Sequence, residues 1–588
     1  MARKVNTAVV ESENAADSSP RPRLHKLTIR NFRCIGPEPV EIELDDIVVL
    51  VGPNNAGKSS ILKAYQLAMS EGSKECVLTI DDFPNKVIDS DNLPEIELET
   101  VVYDNAPGDK WIRKDPDTGE MFVRERWLWP EEGKPQRAGW LVAEGRWAEG
   151  QVPYGAANVA NSRRPQPHRI EAFDNPENQA KETIALLKKV LEDSIKNLKE
   201  NEDKQDINSY TALIQQLGGI QRSIVEKTKG EITQVESRIS DIIHEVFPGY
   251  QVSFDARAEE ELENCITFFK ASPKLLMGPA DGHLSSVEHQ GSGARRTLLW
   301  AALRILREQG RQGKNDRPHL LLLDEPELCL HPTAIREACR VLYDLPKTGN
   351  WQVMVTTHSP VFIDLSRDNT SIVRVERREN GAIQSTTLFR PMVANLDEDD
   401  RARLKLLNLC DPYVAEFFFG GNNIVVEGDT EYTALKYVIA NCPNHFKDVH
   451  IIRARGKASI VSLCKILNHF GAGYAVLHDS DHPKAKRKGK EITNPAWTQN
   501  TKILDIVAQA PDRKKIRLVA SIPNVEGAYF GDALDGEKPY NALLQMSEGT
   551  DAFNKTLQLL EALVDHSKSL PDGAFEWTNI EELKAKLV

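Results

Sequence analysis

At 588 residues, 40% hydrophobic and 27% charged, the chain is too long for one hydrophobic core and reads as about three or four globular domains. No apolar run approaches the roughly 18–20 residues that span a bilayer, which excludes a membrane protein, and a net charge of −13 offers no global attraction to nucleic acid. Eight cysteines without a CxxC pair build neither a disulfide framework nor a zinc site, and they point to the reducing cytoplasm.

Residues 1–22 are polar, rich in Ser, Asn, Asp and Pro, and lack an apolar h-region; they read as a disordered leader. Over 24–51 the pattern predicts a strand (LHKLTIRNF), a second strand (VEIEL) and a buried β-branched strand (IVVLV) that ends at a glycine. Ser60–Met69 has helical spacing, 95–103 alternates as a strand, and 104–170, rich in Trp, Gly, Pro and Arg, reads as β-hairpins with long loops. From Pro176 to about Val246 the composition turns to Lys, Glu, Gln, Leu and Ile. Leu186, Leu187, Val190 and Leu191 share one helix face, while Gly218-Gly219 interrupts any long heptad run. A short helical arm used in self-association is expected there.

Strands return after residue 265 (CITFFK, HLLLLDE, WQVMVTTH, SIVRV), and 395–422 reads as helical and linking. From Asn423 strands alternate with helices again (IVVEG, VHIIRA, YAVLHD, IRLVA), which implies βα units and a parallel sheet. The expected division is a leader (1–22), a first α/β domain in two parts (23–175 and 247–394), the arm (176–246), a linker (395–422) and a second α/β domain (423–588).

Gly52-Pro53-Asn54-Asn55-Ala56-Gly57-Lys58-Ser59 fits G-x4-G-K-[ST] directly after a predicted strand and before a helix. Small residues let backbone N–H groups wrap phosphates at a helix N-terminus. Gly52, Asn55 and Gly57 shape the loop, Lys58 is expected to reach the β- and γ-phosphates of ATP, and Ser59 to coordinate Mg²⁺. The apolar strand His319–Leu323 ends in Asp324-Glu325. Asp324 is expected to hold Mg²⁺ through water and Glu325 to orient or deprotonate the attacking water. A further strand ends at Thr357-His358-Ser359, which places the His358 imidazole beside the γ-phosphate.

These residues resemble the ABC-type ATPases, including the branch that holds RecF and the SMC proteins. Gln290-Gly291-Ser292-Gly293-Ala294-Arg295-Arg296, followed by an apolar helix, looks like that family's signature loop, although it departs from the commoner LSGG form. Leu330-His331-Pro332 resembles its D-loop. The resemblance implies that Ser292 and Gly293 of one protomer complete the ATP site of another, so that the active form is at least a dimer.

The second α/β segment carries its own acids. The strand Ile424–Val426 ends in Glu427-Gly428, with Glu431 four residues on, and the strand Tyr474–His478 ends in Asp479-Ser480-Asp481. Glycine permits the tight turn that gathers Glu427 and Glu431, and residues i and i+2 of an extended segment share a face. Four carboxylates at neighbouring strand ends repel one another, and hard oxygen ligands favour Mg²⁺ or Mn²⁺. A pair of such metals suits in-line phosphodiester hydrolysis.

This constellation resembles the TOPRIM domain. Behind an ABC ATPase it resembles the OLD (overcoming lysogenization defect) family of nucleases, which also holds the nuclease subunit of Gabija defence. The resemblance implies an ATP-binding and ATP-hydrolysing, divalent-metal-dependent DNA endonuclease of anti-phage or anti-plasmid defence. It further implies Glu526 (in NVEG) as a ligand of the second metal. A late lysine near the scissile phosphate is implied too, Lys568 with Lys584 and Lys586 as rivals, and Gly456-Lys457 is similar to a family glycine–lysine pair. The basic run Lys484–Lys490, extended by Arg513, Lys514 and Lys515, is expected to hold the DNA backbone. A partner protein from a neighbouring gene remains open. The other reading is a RecF- or SMC-like DNA-repair ATPase clamp without nuclease activity. A topoisomerase lacks its tyrosine here, and a primase leaves the ATPase unexplained.

Overall fold

The computed structural model describes residues 22–71, 76–171, 250–255, 274–309, 318–348 and 351–587, less 149, 366, 368, 379, 391–395, 488–489, 532–535 and 548, together with parts of 180–249. The expected leader, most of the helical arm and the CITFFK strand lie outside these residues. Of the arm, 232–244 is helical, and Ile232, Val235, Ile239 and Ile243 are buried in the core of the ATPase half.

Among the described residues, two large sheets and a three-stranded antiparallel one (250–255, 274–279 and 285–286) build the N-terminal half. The first is antiparallel, in the order 40–43, 23–30, 95–102, 121–128, 136–141 and 146–147, with 112–114 added beside 121–128. The second runs 383–389, 370–377, 47–51, 351–356, 319–324 and 166–170; all its neighbours are parallel except the first pair. Its central strand, Ile47–Val51, is buried along its whole length, as its unbroken β-branched run requires. Helix Lys58–Met69 lies between the sheets, and Ile61, Leu62, Tyr65 and Ala68 join Leu27, Ile29, Ile96 and Trp127 in one core.

The hairpin expectation for 104–170 holds over 112–147 and fails beyond it. Residues 157–163 are helical, and Gln166–Ile170 is the edge strand of the parallel sheet. Pro167 hides that strand from a periodicity reading, and an edge is where a sheet tolerates proline. A buried, bidentate ion pair fixes the connection: Arg164 Nε and Nη2 donate to the Glu125 carboxylate at 2.9 and 2.7 Å.

The C-terminal half is a five-stranded sheet in the order 449–453, 422–426, 474–479, 516–521 and 574–576; the first four strands are parallel. Between the halves, helix Glu398–Cys410 and the 3-10 turn Pro412–Phe419 pack into a core that continues from Ile372 and Phe389 to Val425 and Tyr474. Phe418 meets Phe389 at 6.3 Å between ring centroids, and Phe417 stacks on Phe470 at 6.4 Å. Ser462 Oγ donates to Asp400 Oδ1 at 2.6 Å across the same seam. Among the described residues, no helix is long and apolar enough to cross a membrane.

Candidate nucleotide and metal sites

Three consecutive ends of the parallel sheet converge on the glycine-rich loop. Gly52 has φ of 136°, and a Cβ there would stand 2.0 Å from the Val375 carbonyl oxygen, so only glycine lets the loop leave its strand so close to the neighbouring one. Asn55 sits exposed at the loop tip with φ of 59°, and Gly57, with φ of 93°, caps the helix. Lys58 folds back over the loop and donates from Nζ to the carbonyls of Gly52 and Pro53, each at 2.9 Å. Burial lowers its pKa, an effect that Glu325 and Asp324 oppose.

Ser59 Oγ donates to Asp324 Oδ1 at 3.1 Å, and Thr356 Oγ1 donates to the same oxygen at 2.6 Å. Glu325 takes a left-handed backbone, φ of 44°, of the kind that persists where surrounding structure enforces it. His358 Nε2 lies 3.4 Å from Glu325 Oε1, and burial, with Lys58 nearby, lowers the imidazole pKa. Lys58, Ser59, Asp324, Glu325 and His358 are thus brought to one end of the sheet. Thr356 escaped the sequence reading, where it passes as the last residue of a strand, and so did Glu327. Ser292 opens helix Ser292–Gln309, and a Cβ on Gly293 would meet the Cys329 carbonyl oxygen at 2.7 Å. The signature-like loop is therefore seated on the D-loop-like turn of its own chain, and Arg296 Nη1 donates to the Glu325 carbonyl at 2.9 Å.

The acids of the C-terminal half gather at the C-terminal ends of strands 422–426, 474–479 and 516–521. Glu427 Oε2 accepts from the Asp479 N–H at 3.1 Å, and Asp479 Oδ1 accepts from the Val525 N–H at 2.8 Å. Glu431 Oε2 folds back to 3.1 Å from where a Cβ on Gly428 would stand. Glu526 Oε1 takes a 3.5 Å contact from Thr430 Oγ1 and pairs with Lys538 at 3.2 Å. Burial raises the Glu427 carboxyl, with Lys457 opposing. Burial and then repulsion from Glu427 and Glu526 push Glu431 up to about 7. Asp479 is raised well above the ordinary carboxylate range by burial and by the charges of Glu431 and Glu427.

Asp481 takes a left-handed backbone, φ of 59°, and pairs with the buried ammonium of Lys457. The Asp-Ser-Asp turn is pinned by bonds from the Ser480 N–H to the Ser521 carbonyl (3.0 Å), from Ser480 Oγ to the Pro523 carbonyl (2.9 Å) and from the Asp481 N–H to the same carbonyl (3.0 Å). Behind it, His478 is fully buried; Nδ1 lies 2.7 Å from the Asp479 carbonyl, and Nε2 accepts from Trp577 Nε1 at 3.2 Å. Burial brings its pKa down to about 3, so the ring is neutral and serves as a strut.

Two expectations need correcting. Lys568 pairs with Glu561 at 3.1 Å, and its carbonyl accepts from Arg517 Nη1 at 3.0 Å near the start of strand 516–521, away from the carboxylates. Its rivals are engaged elsewhere, Lys584 with Glu581 and Lys586 over the Phe575 ring. Lys457 is the lysine that reaches the acids. Arg513, Lys514 and Lys515 immediately precede that same strand, which puts them about 17–20 Å from its acidic end. The run from Lys484 does leave the acidic end, as a hairpin of 484–487 with 490–493.

Comparison with known proteins accords with this geometry. The AAA ATPase domain family matches residues 23–107 and 155–363, together half of the chain. The chain belongs to the AAA ATPase domain family. Behind this ATPase domain, residues 418–481 match the overcoming lysogenization defect protein-like TOPRIM domain, so the architecture is an AAA ATPase domain fused to an OLD-like TOPRIM domain. The chain is 24% identical to the OLD nuclease of Thermus scotoductus over 88% of its own length and 93% of that protein's. It is 22% identical to the Old nuclease of Escherichia phage P2 over 78% and 77%. Among solved structures, an SMC head bound to the C-winged helix domain of ScpA matches 62% of this chain and 98% of its own, at 16% identity and a TM-score of 0.38.

A TOPRIM domain implies a divalent cation. Among the described residues, no three His, Cys, Asp or Glu side chains are already drawn into a ligand set. The donors nevertheless fit a hard cation. All are carboxylates; Glu431 is buried and Glu427 and Asp479 half-buried beside it, and desolvation first, then their mutual charge, raises the proton affinity of all three, which an entering cation would relieve.

Proposed function

We propose that the protein hydrolyses ATP and, with a divalent metal, cuts DNA as an endonuclease. The observation that carries this reading is the crowding of Glu427, Glu431 and Asp479 at the ends of adjacent parallel strands, with Glu526 beside them; such an arrangement is costly unless a cation is meant to enter. Glu427, Glu431, Asp479, Asp481 and Glu526 would hold Mg²⁺ or Mn²⁺. When bound, paired cations supply Lewis-acid stabilisation of the attacking and leaving oxygens of a phosphodiester. The Asp-Ser-Asp turn keeps its acids at fixed positions, and the hairpin from Lys484 offers positive charge to the strand backbone without reading its sequence. We place Lys457, not Lys568, nearest the phosphate.

At the other site Lys58 and the loop N–H groups would bind the ATP phosphates, Ser59 and Asp324 the magnesium, and Glu325 with His358 would order the attacking water. Ser292 and Gly293 of a second copy would close the site, making the working form at least a dimer. The nuclease names borne by both relatives support the cutting activity, and from the resemblance to the OLD family we propose a place in defence against phage or plasmid.

Incubating the protein with supercoiled plasmid and Mg²⁺ or Mn²⁺ tests the reading. Nicking should appear with wild type and fall about a hundredfold or more in Asp479→Ala; full nicking by that variant would remove the nuclease assignment. One observation favours the alternative clamp that hydrolyses ATP and holds DNA: the Asp481 carboxylate is already engaged by the buried Lys457 ammonium. On that reading no metal produces nicking, while Lys58→Ala still abolishes ATP turnover.

A further inference from the structure

The ATPase domain contains one carboxylate whose placement the phosphate-binding residues do not explain. Glu327 follows Asp324-Glu325-Pro326, and its Oε1 accepts two bonds from the next strand end: 2.8 Å from Thr357 Oγ1 and 2.7 Å from the His358 N–H. Its other oxygen, Oε2, is buried with no hydrogen-bond partner. Leaving a carboxylate oxygen dry and unbonded costs stability, so a side chain that served only to fill space would not be an acid here. Thr357 Oγ1 in turn accepts from the Ser359 N–H at 2.9 Å, and the whole segment 357–359 therefore hangs from Glu327 Oε1.

The contact reaches in two directions. On the strand side it sets the backbone of His358, whose ring lies 3.4 Å from Glu325 Oε1. On the other side, Arg296 from the helix behind the signature-like loop holds the Glu325 carbonyl at 2.9 Å. Its buried guanidinium also feels the charges of Glu327 and Glu325. We infer that Glu327 is a positioning residue that clamps the His358 segment to the carboxylate turn, so that the Arg296 helix, the acids and the histidine move as one body. Glu325 and His358 keep their chemical roles; Glu327 fixes the distance between them. The inference rests on reading this domain as a working ATPase.

Replacing Glu327 in the full chain separates the clamp from a merely structural role. With Mg²⁺ and ATP, Glu327→Ala should lower kcat about tenfold, as loss of an orienting partner does, with KM changed less than about twofold. Glu327→Gln should recover most of the loss, because its amide oxygen accepts both bonds. Wild-type kcat in Glu327→Ala, equal loss in the two variants, or a loss confined to KM would each overturn the inference. Amide hydrogen exchange supplies a readout without turnover. The His358 and Ser359 amides should exchange faster in Glu327→Ala and keep their protection in Glu327→Gln; unchanged protection in the alanine variant sinks the clamp. A wild type that, like Lys58→Ala, turns over no ATP would instead remove the ATPase reading, and the exchange data would still decide the clamp.

Discussion

Glu431 lies in the first turn of helix Asp429–Asn441, where the helix dipole favours its charge, yet burial and its acidic neighbours push its carboxyl up to about 7. In the unfolded chain the same group titrates at its ordinary value. Between the two values the folded state therefore holds more protons than the unfolded one, and stability falls as pH rises through that window. The effect is on the order of 2–3 kcal/mol, and Asp479 adds to it with the same sign. Protein stripped with EDTA should lose melting temperature between about pH 5 and 8, and Glu431→Gln should flatten that slope. Millimolar Mg²⁺ should flatten it as well by neutralising the cluster. An unaltered slope in the variant would show that Glu431 is not the group responsible.

At the same scale, Lys58→Ala tests the phosphate loop. Losing one preorganised donor to a phosphate costs on the order of 10²–10³ in turnover, so a steady-state ATPase assay should read a residual near background. Plasmid nicking is expected to change only through coupling to the nucleotide. Equal collapse of both activities would instead indicate a folding defect.

Among the elements, the short helix 157–163 and the edge strand 166–170 depend on Arg164 and Glu125, both almost wholly buried. Removing Arg164 leaves Glu125, among the described residues, with only the buried Arg137 guanidinium, at 3.6 Å, and without its two short bonds, at a cost below the about 3–5 kcal/mol of a fully unpaired buried charge. Arg164→Leu should therefore lower the melting temperature sharply, whereas the double change Arg164→Leu with Glu125→Leu should recover part of the loss. No recovery in the pair would mean that the ion pair is not what holds this edge. Within the ATPase half, elements differed in how plainly the sequence announced them. Strand 47–51, its glycine loop and strand 319–324 were legible because buried parallel strands are unbroken apolar runs and the phosphate loop has fixed spacing. Strand 166–170 was not, since Gln166, Pro167 and His168 give it no apolar alternation.

The acids tell the same story. Glu427 and Asp479 were legible from their positions at strand ends, and Glu431 from its spacing behind Glu427, because the βα topology gathers such positions. Lys568 was misplaced because a resemblance says nothing about which end of a sheet a loop returns to. Glu327 was passed over because one more acid after Asp324 and Glu325 looks like surface charge until its hydrogen bonds are traced.

Over the whole molecule, the ATPase and TOPRIM sheets share one continuous apolar core through segment 398–419, so rearrangement of one sheet has a packed route to the other. Relative motion of two halves is the default only when their interface is small or polar. The phenylalanine seam also bears on how the protein can be divided. A shortened product beginning at Asn423 would leave Phe470 and the Lys457–His469 helix facing water where Phe417, Phe418 and Leu404 had covered them, an invitation to aggregate. One beginning at Asp397 would carry its own cover, and soluble yield in parallel expression trials should separate the two at once.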